Sequence, residues 1–312
     1  MKSMKLISSS ILAVLLFSSI CLNAQKPIWL VGHRCNSQAS LAAVLEDGGN
    51  GVEIDVRSCN GGAFWCVDHG IAWAESSCDG KKHLSLKQYL ALPELKDKRF
   101  CLLWIDCKHP YLKELVEYVH ANIPEDIKGE FAIAYSRYDL KDINYFVTDN
   151  GELVHILDWL KANLWENEGL SLGWERAQNN AFKTLLDQHG FPPEKHFFTD
   201  GSFHSKQMTK NSRWCVSLRK AAEYRDAKQF CCRVGVWTAS TAYDAYWFFD
   251  PKYANMTCDV VMAECRKTAG LVPLIASHTA LKYCKLNFLD KNKDKFKIAD
   301  RIQTKKFFSF NN

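Results

Sequence analysis

The 312-residue chain has no paired Cys-x-x-Cys spacing among its 13 cysteines, which argues against a thiolate-bound metal. Beyond Leu22 no apolar run approaches the roughly 18 residues that a membrane-spanning helix needs. A Gly/Ser linker or low-complexity stretch is also missing, so nothing divides the chain into separate domains. Strong charge of either sign is absent. The 40 Lys and Arg against 35 Asp and Glu leave a formal net charge of +5, too mild to argue for nucleic acid.

What stands at the start is a basic stretch, Met1-Lys2-Ser3-Met4-Lys5, then an apolar segment from Leu6 to Leu22 and small residues at Asn23-Ala24-Gln25. That order is the pattern of a signal peptide over residues 1–24, and it predicts a secreted, extracellular protein whose working part is residues 25–312. Removing the segment takes Lys2 and Lys5 and no acid, lowering the net charge from +5 to +3; it also takes Cys21, leaving 12 cysteines. An even number in an oxidising compartment predicts disulfides. Cys59, Cys66 and Cys78 bracket His69, so at least one bridge is expected to pin that loop, with a longer link from Cys78 to Cys215. The neighbours Cys231 and Cys232 are expected to take different partners. Asn255-Met256-Thr257 is the one glycosylation sequon, with Asn255 as acceptor.

Eight short apolar runs read as strands: Pro27–His33, Gly51–Val56, Phe100–Asp106, Glu130–Tyr135, Leu170–Trp174, His196–Thr199, Arg233–Trp237 and Cys258–Met262. Between several of them lie helical patterns with apolar residues at three- and four-residue steps, as in Ser40–Leu45, Leu112–Ile123 and Glu152–Leu164. Strand alternating with helix predicts a parallel sheet, and about eight strands predict closure into one α/β (β/α)8 TIM barrel.

Polar groups gather at the carboxyl ends of the first three strands, where a parallel barrel builds its active site: Gly32-His33-Arg34, Glu53-Ile54-Asp55, and Asp106-Cys107-Lys108, with Asp68-His69-Gly70 in a loop. Glu53 and Asp55 are two apart on a strand and face the same way. Two such carboxylates repel unless a cation or proton lies between them, and with Asp106 they suit a hard divalent ion such as Mg²⁺. An outward-facing pair making surface salt bridges is the alternative. Gly32 is expected to supply the tight turn before His33. Lys108, two beyond Asp106, suits a phosphate oxygen or else is a surface lysine; Arg34 could reach phosphate or pack outside the barrel.

The ordered set resembles the glycerophosphodiester phosphodiesterase-like phospholipases D, closest in pattern to the sphingomyelinase D-like enzymes of arachnid venoms. It covers about residues 27–268, with Asp200-Gly201, Val236-Trp237-Thr238 and Asp259-Val260-Val261-Met262 resembling later family motifs. The resemblance implies a GDPD-like barrel with one Mg²⁺ on Glu53, Asp55 and Asp106, His33 as nucleophile or base, and His69 as general acid. It also implies Lys108, Trp237 and Arg34 as substrate-binding residues and a phospholipid or lysophospholipid substrate, often converted to a cyclic phosphate by the lipid's own hydroxyl. Trp237 would line the pocket or meet a choline-type cation, unless it is a core tryptophan. Asp200-Gly201 is read as a turn rather than a metal ligand.

Departures from the resembled pattern leave the head group open. Ser240 stands where an aspartate is expected and Glu264 where an asparagine is, and Gly70 follows the second histidine without an inserted subdomain. A catalytically silent phospholipid-binding protein on the same barrel and a glycerophosphodiester hydrolase are the alternatives. The chain is read as a monomer. Its end, Cys284 to Asn312, interleaves lysines with Phe288, Phe296, Phe307, Phe308 and Phe310; it is either a strap packed on the barrel or a membrane-contacting tail. Asp290-x-Asn292-x-Asp294 imitates a calcium loop, but Lys295 replaces the glycine such a loop requires.

Overall fold

The computed structural model describes residues 25–59, 64–69, 83–173, 179–201, 212–239, 258–264, 282, 285, 289–293 and 295–310. The signal segment, Cys78, Ser240 and Asn255 lie outside the described residues, as does the side chain of Glu264.

The chain runs β1 (Lys26–His33), α1 (Gln38–Glu46), β2 (Gly51–Cys59), β3 (Phe64–Val67), α2 (Leu86–Leu90), β4 (Leu102–Cys107), α3 (Leu112–Asn122) and β5 (Ala132–Arg137). A hairpin of β6 (Phe146–Asp149) and β7 (Glu152–His155) leads into α4 (Ile156–Asn163), β8 (Glu168–Leu172), α5 (Asn179–Gln188), β9 (His196–Gly201) and α6 (Arg213–Asp226). Then follow β10 (Arg233–Ala239), β11 (Val260–Glu264), β12 (Phe296–Ile298) and α7 (Arg301–Thr304). Parallel pairing runs β1-β11-β10-β9-β8-β5-β4-β2, and β2 returns to β1 through Val31 opposite Gly51 and Gly32 opposite Val52. The sheet is thus a closed barrel of eight parallel strands, each of which the apolar runs had predicted.

Period-two alternation divides two cores. On β2, Val52, Ile54 and Val56 face outward into the layer shared with the helices, where α3 contributes Leu112, Leu115, Val116 and Val119 at steps of three, one and three. The inward residues of other strands, among them Trp29, Val31, Leu102, Trp104, Phe197 and Met262, fill the barrel itself. Because the interior is plugged by large side chains, the candidate site residues Glu53, Asp55 and Asp106 stand above the plug, toward the carboxyl end.

Three expectations are corrected. Residues Glu152–His155 are a strand, and the helix begins only at Ile156; Asn150 and Gly151, both at positive φ (50° and 85°), make the two-residue turn that favours a hairpin. Gly32 lies inside β1, and the left-handed residue after the strand is Arg34, at φ 54°. The disulfide expectation is corrected in part: Cys215, Cys231 and Cys232 are buried free thiols, which rules out a link from Cys78 to Cys215, whereas Cys59 and Cys66 beside His69 are disulfide-bonded and not free, although their Sγ atoms, 3.8 Å apart, are not joined to each other. Cys231 and Cys232 instead direct their Sγ atoms to the backbone carbonyls of Ala221 and of Glu194 and His196.

The described tail is a strap. β12 pairs with Lys26–Ile28 of β1, and Phe307 and Phe308 are buried in the amino end of the barrel against Trp29 and Phe197. No helix among the described residues is long and apolar enough to cross a membrane.

Candidate active site

A cavity of about 300 Å³ opens at the carboxyl end of the barrel, lined by His33, Arg34, Glu53, Asp55, His69, Trp104, Asp106, Lys108, Tyr138, Trp237 and Met262. Every residue expected to act, Asn255 aside, is in this lining. The strands place them by alternation. Glu53 and Asp55 point inward from β2, and Asp106 sits opposite Asp55 on β4 in the parallel register. His33 ends β1, with its Nε2 4.0 Å from Glu53 Oε2. His69 follows β3, and the Asp68 amide just before it donates to the Asp55 carbonyl at 3.0 Å, which ties this loop to the metal-type cluster.

Glu53, Asp55 and Asp106 are buried, and each offers an oxygen within 4.8 Å of the others'. Burial first, then the charges of Asp55 and Asp106, pushes the Glu53 carboxyl well above its usual range. Burial raises Asp106 as well, against the pull of Lys108. Asp55 is also desolvated, but the Lys108 ammonium and a hydrogen bond from Asn36 hold it below its ordinary value. Lys108 bridges two of the three: its Nζ is 2.8 Å from Asp55 Oδ1 and also bonds Asp106. Although Lys108 loses hydration, the carboxylates around it raise its ammonium above the usual lysine value. It therefore faces the acidic cluster at the pocket wall and is no surface lysine.

One lysine does not balance three converging carboxylates. Asp106 Oδ1 is buried with no hydrogen-bond partner, the donor set is all oxygen, and the separations suit a single hard cation. The residues present fit a divalent ion.

Two contributors escaped the sequence reading. Asn36 Nδ2 donates to Asp55 Oδ2 at 2.8 Å while its Oδ1 accepts from the Asp55 amide at 2.9 Å, so one amide fixes both the rotamer and the backbone of a candidate ligand. Tyr138 hydrogen-bonds Asp106; burial and the nearby charges of Asp106 and Glu53 push its phenol well up and keep it a donor. The Arg34 amide donates to Glu53 Oε2 at 2.7 Å, so Arg34 holds a candidate ligand through its backbone and lines the cavity through its side chain.

Trp104 and Trp237 supply the apolar wall. Trp104 is locked by its Nε1 donating to Ser136 Oγ at 2.7 Å and by edge contact with Phe197, ring centroids 5.0 Å apart. Trp237 ends its inward run where β10 meets β9 closely: a Cβ on Gly201 would lie 1.4 Å from the Trp237 carbonyl oxygen. Asp200 accepts from the Gly201 amide at 2.8 Å, but both residues lie in β9, paired with Val236 and Trp237 of β10, so the expected turn is a strand end.

Comparison with known proteins follows the same line. The profile of the Sphingomyelinase D/Phospholipase D family matches residues 23–248. A sphingomyelinase D of Trichophyton rubrum is 30% identical over 89 residues, which cover 28% of this chain and 26% of that protein. The match thus spans about a quarter of the curated relative's length. A solved structure from Silicibacter pomeroyi, named as a glycerophosphoryl diester phosphodiesterase, superposes with a TM-score of 0.48 at 13% identity, covering 77% of this chain and 91% of that one.

Proposed function

The chain belongs to the sphingomyelinase D/phospholipase D family, and from that premise we propose that it is a secreted, Mg²⁺-dependent phosphodiesterase. It cleaves sphingomyelin or lysophosphatidylcholine between phosphate and choline. The observation that carries the proposal is the set of three buried carboxylates flanked by two histidines in one cavity.

Glu53, Asp55 and Asp106 would hold the ion, which when bound supplies positive charge to the phosphate oxygens. The remaining chemistry belongs to the side chains. His33, oriented beside Glu53, takes the proton of the attacking hydroxyl or attacks phosphorus itself. His69 donates a proton to the departing choline oxygen as the phosphorus–oxygen bond breaks. Lys108 adds a point charge on the phosphate side, and the Tyr138 phenol adds a donor. Trp104, Trp237 and Met262 offer a soft wall to the quaternary ammonium, the kind of surface that binds choline.

Phosphorus NMR of sphingomyelin and of lysophosphatidylcholine with the protein and Mg²⁺ tests this. Loss of the diester signal, abolished by chelator and restored by Mg²⁺, is the expected result. A cyclic product assigns the attack to the lipid's hydroxyl and a linear one to water or His33. No turnover of either lipid, or full turnover in chelator, overturns the proposal.

A further inference from the structure

We propose that the β6–β7 hairpin is a docking element that seats the barrel mouth on a zwitterionic, choline-headgroup bilayer; this rests on the phospholipid reading above. Six large hydrophobic side chains are exposed among the described residues: Phe64, Tyr111, Phe146, Leu153, Val216 and Ile302. Val216 and Ile302 lie on helices. The other four are in connections that follow the carboxyl ends of barrel strands: Phe64 after β2, Tyr111 after β4, and Phe146 and Leu153 after β5. These are the connections on whose face the substrate cavity opens.

The hairpin is built to present this surface. Phe146 pairs with His155 and Thr148 with Leu153, so Phe146, Thr148 and Leu153 share the outer side, where Phe146 and Leu153 are diagonal neighbours. Phe146 is 61% exposed and Leu153 71%. Val147 and Val154, on the other side, pack on the main core, and on the Phe146 side the buried His155 stacks on His189, so the hairpin is anchored from both sides while Phe146 and Leu153 stay exposed. The hairpin is tied to the rim of the site. The Tyr145 hydroxyl donates to the Pro110 carbonyl at 3.0 Å, and Lys113 reaches Asp149 at 3.7 Å. Pro110 lies only two residues beyond Lys108 of the cavity.

Charge selects the occupant. The ionisable groups of the hairpin other than His155 are Asp149, which pairs with Lys113, and Glu152, so the hairpin carries no cation of its own to draw an anionic surface. Two adjacent apolar side chains beside two acids suit an interface without net charge, into which Phe and Leu insert by burial. It is also the surface from which a choline lipid must be drawn into the cavity.

Sedimentation of the full chain with phosphatidylcholine vesicles, in chelator so that nothing turns over, tests docking apart from catalysis. Phe146→Ser/Leu153→Ser should weaken vesicle binding on the order of tenfold or more, while Ile302→Ser, at the opposite end of the barrel, should not. Binding should persist in high salt, and the double variant should keep its turnover of lysophosphatidylcholine held below its micelle concentration. Unchanged vesicle binding by the double variant overturns the proposal. So does binding confined to anionic vesicles and lost in salt, which would return the contact to the basic tail. A shift from dimer to monomer in the double variant without change in vesicle binding also overturns it, and makes a second copy the occupant. If the hairpin substitutions abolish vesicle binding but the wild type turns over no phospholipid in any form, the docking stands and the proposed reaction fails.

Discussion

His33 and His69 enter one cavity from different elements, the last residue of β1 and the loop after β3, so neither can take over the other's position. His33→Ala and His69→Ala are each expected to lower turnover by about 10²–10⁴-fold, the usual worth of a single proton-transfer role, with an unchanged unfolding transition. Either variant turning over at the wild-type rate would return that histidine to a structural part. Asn36 acts through Asp55, which its amide grips at both side chain and backbone. Asn36→Ala should therefore weaken Mg²⁺ by about 10–100-fold, read as a shift in the metal concentration for half-maximal activity that saturating Mg²⁺ repairs. A lower rate that saturating Mg²⁺ leaves unrepaired would argue against the positioning role. The carboxylates were legible because strand alternation is a rule with a period of two, and Glu53, Asp55 and Asp106 obey it. Tyr138 obeys it too, two beyond the inward Ser136, but the apolar run stops at Tyr135 and hid the extension. Asn36 gives no periodic signal, since it acts from an irregular turn fixed by the positive φ of Arg34.

At the scale of elements, the eight barrel strands were legible because burial on both faces makes each one a short apolar run. The hairpin was missed although Asn150-Gly151 is a strong turn signal, because Glu152–Leu164 also carries helical spacing and the helix that does form begins four residues later. Cysteine counting misled for Cys231 and Cys232 because burial competes with bridging: at the foot of β10 they are packed between α6 and the tail as free thiols. Beside them, His196 opens β9 fully buried, its Nδ1–H donating to the Phe230 carbonyl at 2.8 Å. Burial lowers its pKa to about 4, against roughly 6.5 for a free imidazole. Between these values the unfolded chain binds a proton that the folded one refuses. The stability contributed is complete above pH ~6.5 and is lost as pH falls toward ~4, by about 3 kcal/mol at full extent. Urea unfolding at pH 7.5 and pH 4.5 should therefore show a larger drop for the wild type than for His196→Phe, even though the variant starts lower for want of its hydrogen bond. Equal drops in the two proteins would remove His196 from the account.

For the whole molecule, the tail decides whether the amino end of the barrel is closed. Its lysines and phenylalanines suited both a membrane-contacting tail and a strap, because composition does not say which surface the rings meet. The fold places the rings: Phe307 stands edge-on to Trp29, centroids 4.9 Å apart, and Trp29 Nε1 donates to Thr304 Oγ1 at 3.1 Å. Backbone and charge fasten the same segment. Asn50 Nδ2 donates to the Ala299 carbonyl at 2.8 Å, Arg301 holds the Asp97 carbonyl at 2.9 Å and Glu130 at 3.0 Å, and Arg233 holds the Lys306 carbonyl at 2.8 Å. Removing residues 295–312 would strip two phenylalanines from the core and open Trp29 and Phe197 to water. At about 1.5–3 kcal/mol per large side chain this is comparable with the whole stability of a domain, so the truncated chain should fail to fold. Phe307→Ala is the gentler version, expected to cost about 3–5 kcal/mol in urea unfolding while turnover per folded molecule is unchanged, since the site lies at the other end of the barrel. An unshifted urea midpoint for Phe307→Ala, or a truncated chain that melts like the intact one, would show that the strap does not hold the barrel closed.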